Sequence, residues 1–159
     1  MATVALMWAP SDSDTRTFEV TVAGQTDPRA KVALSQWLFT PLLVETSAGT
    51  YTIRRYLMRG WRALDESGAT IVLVNPWPSR PPVDIGGRRF QARRYYVDRQ
   101  PAVALSDDHG EVLTVRNRNR LSLRGGPQPG EGEALDLASL GNDPWLPVAL
   151  MFLFPTFSG

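Results

Sequence analysis

Phe18, Val20 and Val22 alternate with Thr17, Glu19 and Thr21, a period of two that predicts a strand with one buried face, ended at Gly24. The apolar run from Thr3 to Trp8 reads as another strand, because it is too short for a secretory leader and no basic residues precede it. Next, Asp27-Pro28 has the form of a helix N-cap followed by proline at the first helical position. Ala30, Ala33, Leu34, Trp37 and Leu38 then fall at helical spacing up to Pro41, which predicts a short helix near 28–39, although Val32 and Phe39 would also suit a strand.

From residue 50 the pattern is strongly β-like, and two stretches resemble each other. Tyr51-Thr-Ile-Arg54-Arg55-Tyr56-Leu57 matches Phe90-Gln-Ala-Arg93-Arg94-Tyr95-Tyr96, and each is followed by a second matching piece. Ala63 to Gly68 leads into Ile71–Val74, as Ala104 to Gly110 leads into Val112–Val115. The repeat covers about 50–75 and 89–116, and two copies are too few for a solenoid or propeller. They predict a duplicated β-meander in an antiparallel barrel or closed sheet, with the stretches ending at Gly68 and Gly110 as equivalent hairpin turns.

Between the copies, the four prolines of Asn75-Pro76-Trp77-Pro78-Ser79-Arg80-Pro81-Pro82 argue against a central strand and predict an extended crossing loop. Gly125 to Gly132 reads as a mobile loop, since it has no hydrophobic anchor. After it, Gly141-Asn142-Asp143-Pro144 signals a helix start, and Trp145 to Phe154 is apolar on every face before Pro155, which should end the helix. That run has half of the roughly 20 residues that cross a bilayer, so no transmembrane segment is expected and the helix should be buried. In a mainly β chain, a helix with no polar side must be surrounded by the sheet.

Composition narrows the chemistry. With 159 residues, 43% hydrophobic and 21% charged, the chain should fold as a single domain over 1–159. It has no cysteine, which excludes disulfides, thiolate nucleophiles and sulfur-ligated metals. Cytoplasmic is the default location, with membrane-peripheral attachment compatible. The net charge of +1 conceals a division: −2 over 1–53, +7 over 54–124 and −4 over 125–159. A basic block of this kind favours an anionic partner, whether lipid headgroup, nucleic acid or acidic protein.

A repeated β-meander with Asp/Gly turns, followed by a wholly apolar C-terminal helix, resembles the tubby-like architecture of tubby C-terminal domains, plant LURP-one-related proteins and phospholipid scramblases. The likeness is one of layout and covers about 50–154. It implies a hydrophobic helix threaded through a β-barrel of about twelve strands, and binding to phosphoinositides or membrane surfaces. The chain departs from that pattern in its short length, in the helix expected near 28–39 and in Pro147 within the last helix. No residue matches a phosphate-binding motif of those families, so candidate residues come from this sequence alone.

In a continuous strand Arg116, Arg118 and Arg120 point to one face with Arg124 in line beyond them, a basic stripe suited to phosphate oxygens. A hairpin turn at 117–119 would break the stripe into ordinary solvated charges. The doublets Arg54-Arg55 and Arg93-Arg94 sit beside tyrosines, where aromatic rings could stack on bases while arginine holds phosphate. Neighbours in a strand face opposite ways, so at most one arginine of each doublet, represented by Arg54 and Arg93, lines a common groove. His109 is the only histidine and falls in an Asp-Asp-His-Gly turn without a visible nucleophile. Asp65-Glu66 and Asp107-Asp108 read as hairpin chemistry, and no metal site, cofactor or catalytic set is expected. The residues therefore predict a non-catalytic binding domain for an anionic ligand, with membrane phospholipid favoured over nucleic acid. The alternative is an assembly protein acting through protein partners or as a homo-oligomer, suggested by five tryptophans and the Pro/Trp-rich segment.

Overall fold

Period-two alternation determines most of the architecture. In the computed structural model, which describes residues 3–12, 16–34, 41–56, 60–75, 81–117 and 129–157, twelve strands are followed by one long helix. The strands are β1 (Val4–Pro10), β2 (Thr17–Val22), β3 (Ala30–Leu34), β4 (Pro41–Thr46), β5 (Gly49–Tyr56) and β6 (Gly60–Leu64). They continue as β7 (Thr70–Val74), β8 (Pro82–Ile85), β9 (Arg88–Val97), β10 (Gln100–Asp107), β11 (Gly110–Asn117) and β12 (Gly130–Ala134). Each pairs antiparallel with its sequence neighbours, and β12 pairs with β1, so the sheet closes into a barrel with no free edge. Helix α1 (Trp145–Phe157) follows a short 3-10 turn at Leu137–Leu140.

The mainly β barrel with a buried apolar C-terminal helix is thus the observed fold. Leu146 and Val148 to Leu153 of α1 are fully buried, and the helix packs against β2, β3 and β4 on one side and β10 and β11 on another. The core is the helix plus the inward residues of the strands, among them Trp8, Val20, Val32, Val44, Trp61, Val72, Val83, Phe90 and Leu113. Phe152 lies flat on Trp8 with ring centroids 5.3 Å apart and planes 3° from parallel, and Phe18 also stacks on Trp8 with centroids 5.0 Å apart. Such pairs add about 0.5–1.5 kcal/mol beyond the area they bury.

The two similar stretches fall on β5–β6–β7 and β9–β10–β11. Tyr51 and Phe90 both face inward, and each meander has a register shift just before its second turn, at Ala63/Leu64 and at Leu105/Ser106. The turns use carboxylates in the same way. Asp65 Oδ1 accepts from the Ser67 and Ala69 amides at 2.9 and 3.0 Å and from the Ser67 hydroxyl at 2.6 Å, while Asp107 Oδ1 accepts from the His109 amide at 2.8 Å. These bonds hold the Asp65 carboxyl below its usual range, first through the Ser67 hydroxyl.

Four expectations are corrected. The helix expected near 28–39 is a strand over Ala30–Leu34, where Ala30, Val32 and Leu34 are buried and Lys31 is exposed; residues 35–39 lie outside the described residues. Alanine fits either period, and pairing with β2 and β4 decides the outcome. Gly130 and Gly132, read as part of a mobile loop, belong to β12, the strand that closes the barrel; residues 125–128 are outside the described set. They face inward opposite Trp8 and Leu6, and a Cβ on Gly132 would stand 2.5 Å from the Thr114 carbonyl oxygen and 3.3 Å from the Phe152 ring. Here glycine is required for volume. Pro82, the last residue of the proline run, opens β8 at a strand start, where proline is tolerated; residues 76–80 are not described. Finally, Pro155 does not end α1, which continues to Phe157, because a proline in the last turn removes only one internal hydrogen bond. Pro147 sits in the first turn, whose amides have no helical partner.

Candidate anion-binding surface

Each hairpin connects strands at one of two barrel ends, and the charges divide between them. At the turn end lie Thr46–Gly49, the turns at Asp65–Ala69, Gly86–Gly87 and Asp107–Gly110, and the segment leading into α1. This end carries Glu45, Asp65, Glu66, Asp107, Asp108, Glu111, Asp136 and Asp143 against Arg29, Lys31, Arg88 and Arg89. The opposite end, where β1, β5, β9 and β11 finish, carries Arg16, Arg54, Arg62, Arg94, Arg99 and Arg116 against Asp12, Glu19, Asp98 and Glu131 among the described residues. Topology thus converts a charge bias along the chain into a polarity along the barrel.

The turn end is tied together by its own polar groups. Tyr51 donates its hydroxyl hydrogen to Asp143 Oδ2 at 2.7 Å, and the Thr46 hydroxyl donates to the same oxygen, which anchors the start of α1 to the β4–β5 hairpin. Arg88 donates to the Ser139 carbonyl at 3.0 Å and pairs with Asp107 at 3.4 Å, fixing the 3-10 turn to two further hairpins. A cleft of about 460 Å³ opens there between Tyr51, Asp65, Ser67, Ile85 and Asp143, and among the described residues no arginine or lysine lines it. It does not suit an anion. Burial and then the Asp143 carboxylate raise the Tyr51 phenol well above its ordinary 10.0.

That shift has a definite sign. Below about pH 10 the phenol is protonated in both folded and unfolded chains, so its contribution to stability is complete; above it the unfolded chain releases the proton first and stability falls. Tyr51→Phe should cost about 1–2 kcal/mol near neutral pH, from a lost bond to a charged acceptor, and should flatten the fall between pH 9 and 11. Urea midpoints of both proteins across that range check this, and parallel slopes would contradict it.

The candidate arginines do not form one group. Arg116 donates from Nε at 3.0 Å and from a terminal nitrogen at 2.6 Å to Glu131 Oε1, its direct cross-strand neighbour. Arg93 is exposed on the outer wall, pairs with Glu111 at 3.3 Å and lies 4.7 Å over the Tyr95 ring. Arg94 has the opposite parity, opposite the inward Val103, and burial pushes its guanidinium downward. Arg54 is exposed on the outer wall, directly across from Arg62. Arg118, Arg120 and Arg124 lie outside the described residues, and β11 is Gly110–Asn117. Arg62 was missed by sequence reasoning because its relation to Arg54 depends on strand register. Among the described residues no group of three His, Cys, Asp or Glu could hold a metal ion, and no helix is long and apolar enough to cross a membrane.

No protein-family model matches this sequence, and no curated protein matches it either. Among solved structures, the chain is similar to a protein from Arabidopsis thaliana known from X-ray crystallography, with 10% identity and a TM-score of 0.39 over 99% of this chain and 92% of that one.

Proposed function

We propose that this barrel is a non-catalytic binding domain for an anionic ligand, a membrane phospholipid headgroup, engaged through its arginine-rich end. The observation that carries this reading is the segregation of arginines to one barrel end and carboxylates to the other. A molecule charged in this way turns its basic end toward an anionic surface, where each arginine contributes about 1 kcal/mol. Guanidinium groups also match phosphate oxygens through paired hydrogen bonds. The layout supports the same reading, since an apolar helix within a twelve-stranded barrel is the arrangement of the tubby-like and LURP-one-related proteins, whose resemblance implies phosphoinositide or membrane-surface binding. Nucleic acid is the less favoured ligand, because Arg93 already covers the Tyr95 ring that a base would stack on.

Co-sedimentation with anionic and neutral vesicles at low and moderate salt tests the proposal. Anionic vesicles should capture the protein in a salt-sensitive way, and Arg118→Ala, Arg120→Ala and Arg124→Ala combined, in the segment joining β11 to β12, should reduce capture about tenfold or more. Equal binding to both vesicle types would contradict it. Capture of single-stranded nucleic acid alone would transfer the basic end to the other ligand.

A further inference from the structure

Phe90, Ala92, Arg94 and Tyr96 share one face of β9, and along that face the strand passes from the core, where Phe90 and Ala92 are buried, into water, where Tyr96 is 76% exposed. β10 pairs with β9 from Gln100 but with β11 only from Ala102, and β8 pairs with β9 only as far as Gln91. Among the described residues, the pairs Tyr96–Pro101 and Val97–Gln100 therefore stand past their neighbours as a two-stranded tip. Arg93 lies over the Tyr95 ring, whereas among the described residues no cation or ring covers Tyr96. Pro101, directly across from Tyr96, and Val97, next to it, are half-buried. The turn itself is strained. Asp98 and Arg99 have φ of 49° and 67°, the two left-handed residues that a tight two-residue hairpin turn requires, and every other described residue with positive φ is glycine. Glycine would relieve that strain, so the tip keeps side chains where the backbone favours none.

We propose that the β9–β10 tip enters the headgroup layer of a phospholipid bilayer, with the Tyr96 ring at the boundary between headgroups and acyl chains. The inference rests on the phospholipid reading above and adds to it an apolar contact that arginines alone do not make. Tyrosine suits that depth, because its ring is apolar while its hydroxyl keeps water or a headgroup oxygen as partner. Val97 and Pro101 widen the apolar surface around the ring. Asp98 and Arg99 cancel in charge, so attraction to the surface comes from the rest of the arginine-rich end and the tip supplies depth. A free headgroup in solution offers no such boundary. The tip therefore selects a bilayer over a soluble phosphate. Single-stranded nucleic acid fits less well, since successive bases need successive open rings and Tyr95 is already covered.

The test is co-sedimentation with phosphatidylcholine–phosphatidylserine vesicles over a salt series. Tyr96→Ser should weaken capture about fivefold or more at every salt concentration, because it removes apolar contact and no charge, while Tyr96→Phe should retain it. The chain has no cysteine, so an environment-sensitive dye can be placed on Val97→Cys at the tip and, as a control, on Glu66→Cys at the acidic turn. On these vesicles the dye at 97 should brighten and shift to the blue and the dye at 66 should not, and glycerophosphoserine in solution should change neither. Thermal melting verifies that each variant is folded. Wild type that binds the vesicles while Tyr96→Ser binds equally, or while the dye at 97 stays silent, would overturn the insertion and leave the phospholipid reading in place. Wild type that ignores anionic vesicles would overturn both, as would a dye at 97 that responds to single-stranded DNA alone.

Discussion

Gly60→Ala is expected to lower stability by about 2–5 kcal/mol, from two separate causes. Gly60 has φ +88, a conformation that costs a residue with a Cβ about 1–2 kcal/mol. A Cβ there would also stand 1.8 Å from the Val74 carbonyl oxygen and 2.9 Å from the Asn75 Cα, both backbone atoms, so β6 and β7 must separate, at about 1–3 kcal/mol. Gly24→Ala isolates the first cause, because Gly24 has φ +85 with nothing within 4 Å of the added carbon. Urea denaturation should therefore show a loss of about 1–2 kcal/mol for Gly24→Ala and a clearly larger loss for Gly60→Ala. Equal losses would mean that the β6–β7 contact is looser than the structure has it.

Phe152→Ala should cost about 3–5 kcal/mol, the range for removing a buried aromatic ring. The ring stacks on Trp8 and reaches the backbone of β12, so its loss opens a cavity between the helix and the two strands that close the barrel. With typical domain stabilities of about 5–15 kcal/mol, that change brings the protein close to unfolding at physiological temperature. Met151→Leu, also fully buried but nearly volume-conserving, should cost less than about 1.5 kcal/mol. Calorimetric melting of the two variants distinguishes a helix that fills the barrel from one that rests on it, since the second arrangement would make both changes mild.

Strands with clear alternation, such as Thr17–Val22, were legible because branched and aromatic residues alternate there with polar ones. The apolar helix was legible because Leu146 to Phe154 carries no polar side chain. What escaped were the elements whose residues carry no periodic signal. Ala30–Leu34 has two alanines that fit helix or strand, and only its neighbours select the strand. Gly130–Ala134 reads as a loop until Trp8, Leu6 and Phe152 are seen to need the space its glycines leave. That omission also hid part of the candidate surface. Once β12 is in place, Arg116 meets Glu131, a pairing fifteen residues apart in sequence. The opposition of Arg54 and Arg62 likewise exists only through the register of β5 and β6, and the division of charge between the ends only through which turns share an end.

The most direct test of the central claim is hydrogen–deuterium exchange of the protein with and without anionic vesicles. The account predicts slower exchange in peptides covering 94–100 and 112–117, whose strands finish at the arginine-rich end, and unchanged exchange at the turns around Asp65–Ala69 and Asp107–Gly110. Slower exchange at those acidic turns, with none at the arginine-rich end, would contradict it.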